Sequence, residues 1–204
     1  MDNTHFKSIV YHKLSGWYSR QEWEDMAVER ICKVRDEFRN LLSEIRRDGI
    51  PQLLEYLDEC GFYYRPSSGK RHHNYPGGLA EHCLGVYEKM QKCKVSGAGE
   101  DSIKLAGLFH DLCKCDMYYF NGRTILHHSR HGHGSRSVRL LRKLGVVLTP
   151  EEYRAIRYHM WSAKDTEKIR QYPEFAIAVK ESLWKAVHYS DHEDAKEACR
   201  RARR

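Results

Sequence analysis

The sequence predicts an all-α protein, a helical bundle that carries one small β-hairpin and a helical extension at its N-terminus. Three observations lead there. Apolar residues recur at helical spacing through most of the 204 residues. Gly- and Pro-containing breaks divide these runs into helix-sized pieces. Only one stretch, MYYFNGRTIL at 117–126, reads as paired β-strands.

The first amphipathic run covers about 19–48, where Trp23, Met26, Ala27, Ile31, Val34, Phe38, Leu41, Leu42 and Ile45 form a stripe without Pro or Gly. DGIP then interrupts it, and Pro51 begins a short helix with Leu53, Leu54 and Leu57 on one face. The segment GFYYRPSSGKRHHNYPGG at 61–78 is expected to be loop. Helices are expected to resume at 79–93, 101–115, 133–145, 150–161 and 174–199. Thr149 before Pro150, Glu151 and Glu152 is a strong helix start, because its hydroxyl can cap free N–H groups and the carboxylates complement the dipole. Asn121-Gly122 between β-prone arms gives the hairpin. The chain thus divides into an N-terminal extension at 1–65, a core domain at 66–199 and a basic tail at 200–204.

A hydrophobic content of 41% with 31% charged residues fits a globular protein with a core and excludes a disordered chain. No apolar run approaches the roughly 18–20 residues of a membrane span, and the N-terminus lacks a secretory apolar region. The seven cysteines are odd in number and have no C-x-x-C spacing, which suits reduced thiols in a cytoplasmic protein. The net charge is +7, but four of the last five residues, RRARR, are arginines. That tail reads as a solvated terminus or as a contact for an anionic partner.

Several polar residues share apolar helix faces. His82 lies three residues after Leu79 in GLAEHCLGVYEKM, and His110 and Asp111 follow the apolar run IKLAGLF. His159 follows Ile156 by three, beside Met160, and Asp191 follows Leu183 and Val187 in steps of four. Each alone fits a hydrogen-bonded core residue. Together they bring two carboxylates inside with Lys114 as the one evident inward cation, and neutral imidazoles do not relieve that charge. A divalent transition cation such as Mn, Fe, Ni, Co or Zn would satisfy all five, with Mg as a further candidate. The loop histidines at 127, 128 and 131 are a weak metal signal, and His72 and His73 read as solvated. His133 stands apart because it is flanked by glycines and begins a helix.

The ordered set HHNYPGGLAEH, LAGLFHDLCK, GHGSRS, AIRYHM and HYSDHEDA, over about 70–195, resembles the HD-domain metal-dependent phosphohydrolases. HDLCK is similar to the motif of bacterial and phage members and of YhaM-like 3′–5′ exoribonucleases. The likeness implies that His82, His110, Asp111 and Asp191 hold one metal ion. It also implies that His133 and His159 add a second ion in two-metal members, and that Lys114 approaches the substrate phosphate. Cys113 stands where glycine is commonest in that motif, and the GYP element of the cyclic-di-GMP-specific members is missing.

The expected activity is hydrolysis of a phosphomonoester or phosphodiester of a small nucleotide by a metal-activated water. Asp111 and Lys114 are the expected catalytic residues. Arg71, Arg123 and Arg136 are expected to assist with phosphate charge, and Tyr118 near the hairpin either stacks on a base or packs as ordinary strand. A nucleic-acid-processing enzyme and a non-catalytic nucleotide-binding module are the alternatives. Nucleic acid is the less favoured partner because the basic excess is concentrated at one end.

Overall fold

The computed structural model describes residues 2–15, 28–69, 71–120, 125–127 and 132–202. Trp23, Met26 and Ala27 of the first amphipathic run, Arg123, His128 and His131 lie outside these residues.

The N-terminal part holds α1 (Asn3–Ser15), α2 (Val28–Ser43) and α3 (Ile50–Cys60). Helix α1 was not expected; its Phe6 and Val10, one turn apart, are fully buried. Helix α2 ends at Ser43, short of the expected 48. Its buried stripe includes Ile31, Phe38 and Leu42. Arg35 on the same face forms a bidentate pair with Asp58 of α3 at 2.7 and 2.8 Å, both side chains being almost fully buried. The pairing satisfies both charges where water is absent.

The second part follows as α4 (Gly78–Gln91), α5 (Glu100–Phe109), a 3₁₀ turn (Leu112–Asp116), β1 (Tyr118–Phe120), β2 (Ile125–His127), α6 (His133–Lys143) and α7 (Pro150–Tyr158). It ends with α8 (Thr166–Gln171), α9 (Pro173–Ala178) and α10 (Ser182–Arg201). The strands pair antiparallel, with Tyr118 opposite His127 and Phe120 opposite Ile125. Thr149 and Glu152 form the full reciprocal capping box at the start of α7. Two expected helices are broken. The one expected over 101–115 changes to a 3₁₀ turn after His110, and the one over 174–199 splits at 179–181, with α8 preceding it unforeseen. Of the basic segment 200–204, Arg200 and Arg201 belong to α10.

Helix α4 packs on α5 and α10, while α7 packs on α6, α9 and α10. Gly134 lets α6 approach α7: a Cβ there would lie 2.2 Å from the Ile156 carbonyl oxygen. One buried apolar cluster runs through both parts of the chain. Edge-on contacts among Phe6, Phe38, Phe62 and Tyr63 join the N-terminal helices, and Phe38 reaches Phe109 of α5 at 6.2 Å. Among the described residues, no helix is long and apolar enough to cross a membrane. All seven cysteines are free thiols.

Candidate metal centre

Two helices and the ends of two others bring polar groups to one place. Helix α4 supplies His82, and α10 supplies Asp191 and Asp194. His110 and Asp111 sit where α5 gives way to the 3₁₀ turn, and His159 caps the C-terminus of α7. His82, His110 and His159 are fully buried, and Asp111 and Asp191 nearly so.

Each of the three imidazoles is anchored by its outer nitrogen. His82 Nδ1 donates to Asp194 Oδ2 at 2.8 Å, His110 Nδ1 to the Gly107 carbonyl at 2.8 Å, and His159 Nδ1 to the Ile156 carbonyl at 2.8 Å. A carbonyl oxygen only accepts, so Nδ1 carries the proton in His110 and His159 and Nε2 presents its lone pair. The Nε2 atoms converge. His82 Nε2 is 3.2 Å from Asp191 Oδ1, 3.6 Å from Asp111 Oδ2 and 3.4 Å from His110 Nε2. His110 Nε2 is 3.5 Å from Asp111 Oδ2 and 3.9 Å from Asp191 Oδ1, and His159 Nε2 is 3.6 Å from Asp111 Oδ1.

These separations fit a cation. Ligand atoms about 2.1 Å from one ion, at tetrahedral or octahedral angles, lie roughly 3–3.5 Å apart. Asp111 Oδ1 and His159 Nε2 are buried without a hydrogen-bond partner among the described residues, as ligand atoms would be. The groups His82–His110–Asp111 and His110–His159–Asp191 each bring three ligand atoms within 4.8 Å of one another. The electrostatics agree. Burial opposes protonation of His82, yet Asp111, Asp191 and Asp194 push its pKa up to about 10, so the site draws positive charge. Burial would raise Asp111, but Lys114 and the imidazoles hold it well below the usual carboxylate range.

A family model described as HD domain matches residues 79–202, well over half of the chain. The chain belongs to the HD-domain family. No curated protein matches the chain, and no solved structure does.

The buried centre of this HD domain is bordered by Lys114, whose Nζ lies 2.6 Å from Asp111 Oδ2. Burial works against the charge on Lys114, but Asp111 raises its pKa and keeps it protonated. A cleft of about 440 Å³ opens beside it, lined by Arg71, His72, Lys114 and Asp191 among others. His133 begins α6, half-buried, with Nδ1 unpartnered among the described residues, and it joins none of the close donor groups. Tyr118 is 8% exposed and packs with Cys113 and Met117. Arg136 is half-buried on α6 and does not line the cleft.

Two further expectations change. His72 and His73 are not solvated: their rings pack 5.0 and 5.3 Å from His82, and His72, His73 and His82 form a third close donor group. The loop that carries them is pinned by Gly78, where a Cβ would lie 2.2 Å from the His73 carbonyl oxygen. Met160, expected on the buried side beside His159, is 52% exposed because α7 ends at Tyr158. Sequence reasoning missed Asp194, although its place three residues after Asp191 on one helix face was a usable signal. Lys89 also faces inward and binds Asp194 Oδ1 at 2.9 Å. His188 was missed as well; its Nδ1 donates to the His159 carbonyl at 2.6 Å and ties α10 to the end of α7.

Proposed function

We propose that the protein is a metal-dependent phosphohydrolase that cleaves a phosphomonoester or phosphodiester bond of a nucleotide. The observation that carries the reading is the set of three imidazoles, each anchored through Nδ1, whose Nε2 atoms converge on Asp111 and Asp191 beside Lys114. His82, His110, His159, Asp111 and Asp191 are the residues that would hold the metal. A divalent cation held there would supply Lewis acidity, by which water becomes a stronger acid and so a nucleophile at neutral pH.

The chain's own residues do the rest. Asp194 and the carbonyls of Gly107 and Ile156 fix the tautomers and ring orientations of the three histidines. Asp111, held as an anion, serves as a charge and not as a proton acceptor. Lys114, protonated at the edge of the cleft, is placed to neutralise charge on the non-bridging phosphate oxygens. Arg71 in the cleft wall adds a second positive group for the same anion. The cleft volume of about 440 Å³ falls within the range of small-molecule sites and suits a nucleotide.

The test begins with elemental analysis of protein purified without chelator. Nucleoside monophosphates, cyclic nucleotides and dinucleotides are then screened with the metals found. Phosphate or nucleotide release that needs the metal and disappears in Asp111→Asn is the expected result. Protein that binds no divalent ion, or that turns over nothing in the panel, would overturn the reading.

A further inference from the structure

Helix α10 continues along the cleft beyond Asp191. Lys196 and Arg200 both line it from successive turns, so roughly 6 Å separates them along the axis and Lys196 lies roughly 7.5 Å past Asp191. Arg71 lines the same cleft from the loop before α4. Among the described residues, no carboxylate lies within 4.0 Å of the side-chain nitrogens of Arg71, Lys196 or Arg200. The other face of α10 differs: Lys89 binds Asp194 at 2.9 Å and Glu197 at 3.2 Å, and Arg201 pairs with Glu197. These ion pairs thus lie away from the cleft, whereas Lys196 and Arg200, which also border a groove with Glu193 and Glu197, hold no ion pair among the described residues. Met160 and Cys199 add apolar surface to the cleft wall.

We propose that Lys196 and Arg200 form a second phosphate subsite, so that the cleft takes a nucleotide bearing a second phosphate beyond the reacting one, which Lys114 and Arg71 face. The inference rests on reading the cleft beside Lys114 as the phosphohydrolase site. Along the α10 axis Arg200 lies roughly 13.5 Å past Asp191. Phosphates separated by a nucleoside match a span of that order, and the apolar wall accommodates the nucleoside. A nucleoside 3′,5′-bisphosphate or a dinucleotide has this form.

The experiment uses the full chain loaded with Mn²⁺ and compares adenosine 5′-monophosphate with adenosine 3′,5′-bisphosphate by calorimetry and by phosphate release. Wild type is expected to bind the bisphosphate at least about tenfold more tightly, since each charge-assisted hydrogen bond contributes on that scale. In the Lys196→Ala/Arg200→Ala variant that ratio should fall towards one, with metal content and melting temperature checked as controls for folding. Equal affinities in wild type, binding of neither compound, or an undiminished ratio in the variant would each overturn the subsite. A preference for the bisphosphate without hydrolysis of either compound would sustain the subsite and remove the hydrolase. Hydrolysis of the monophosphate without any preference would do the reverse.

Discussion

Asp111 Oδ1 and His159 Nε2 face each other at 3.6 Å, both buried and neither holding a hydrogen bond among the described residues. Two polar atoms this close without a proton between them are in the relation of two ligands of one ion. Asp111→Ala removes one of them and also leaves Lys114 without its 2.6 Å partner. Divalent metal content and hydrolysis should both be lost, with a fall in stability of about 3 kcal/mol from the uncompensated ammonium. Asp111→Asn retains the shape of the side chain and separates the loss of metal from the loss of folding. Elemental analysis and thermal melting check both variants.

Removal of a bound ion should loosen the whole bundle, because the proposed ligands come from α4, from α10 and from the ends of α5 and α7. A ligand at a hundred times its dissociation constant stabilises a fold by about 2.7 kcal/mol. For a chain of this size that corresponds to a melting shift of about 5–10 °C. Melting in chelator and in excess Mn²⁺ should differ by this amount, and equal melting temperatures would count against metal binding.

Asp194 is a positioning residue: it orients His82 through the 2.8 Å bond to Nδ1 and is itself held by Lys89 at 2.9 Å. Asp194→Ala should weaken metal binding by about 10–100-fold, the usual cost of losing such a partner. Asp194→Asn, whose amide oxygen still accepts from Nδ1, should recover much of the loss. Metal titration distinguishes this role from a merely structural one, in which both variants would behave alike.

Gly134→Ala places a methyl group against the Ile156 carbonyl, the same oxygen that accepts from His159 Nδ1. Helices α6 and α7 would have to separate, at a cost of about 1–3 kcal/mol. Chemical denaturation should show that loss, and metal titration should show weakened affinity because His159 moves with the carbonyl.

Asp58→Ala isolates the N-terminal helices from the metal centre. It removes the bidentate partner of Arg35, which is 1% exposed, and should destabilise the chain by about 3 kcal/mol. Metal affinity of the protein that remains folded should be unchanged, as read by titration well below the melting temperature.

The inward direction of His82, His159 and Asp191 was legible because a helix has a fixed period: a residue three or four places from a buried Leu, Ile or Val shares its face, whereas His110 and Asp111 were marked by the apolar run before them. The start of α7 was legible for a similar reason, since Thr149, Pro150 and Glu152 act within one turn. Where no local chemistry marked a boundary, the reading failed. No Gly or Pro announces the break at 179–181, and α1 buries its face through only Phe6 and Val10 among its described side chains.

His72 and His73 had no periodicity to read. Their loop is directed by contacts distant in sequence, and only the fold lays the two rings on His82. The same holds for the end of the chain. As a string of arginines it carried no direction, whereas as the last turns of α10 it puts Arg200 in the cleft and Arg201 on Glu197. The sequence by itself determined most of the helices and the inward turn of His82, His110, Asp111, His159 and Asp191, because these follow from the spacing of neighbours along one backbone. Which nitrogen of each imidazole remains free, and which cations border the cleft, was decided by tertiary structure alone, because both depend on atoms brought together from helices far apart in the chain.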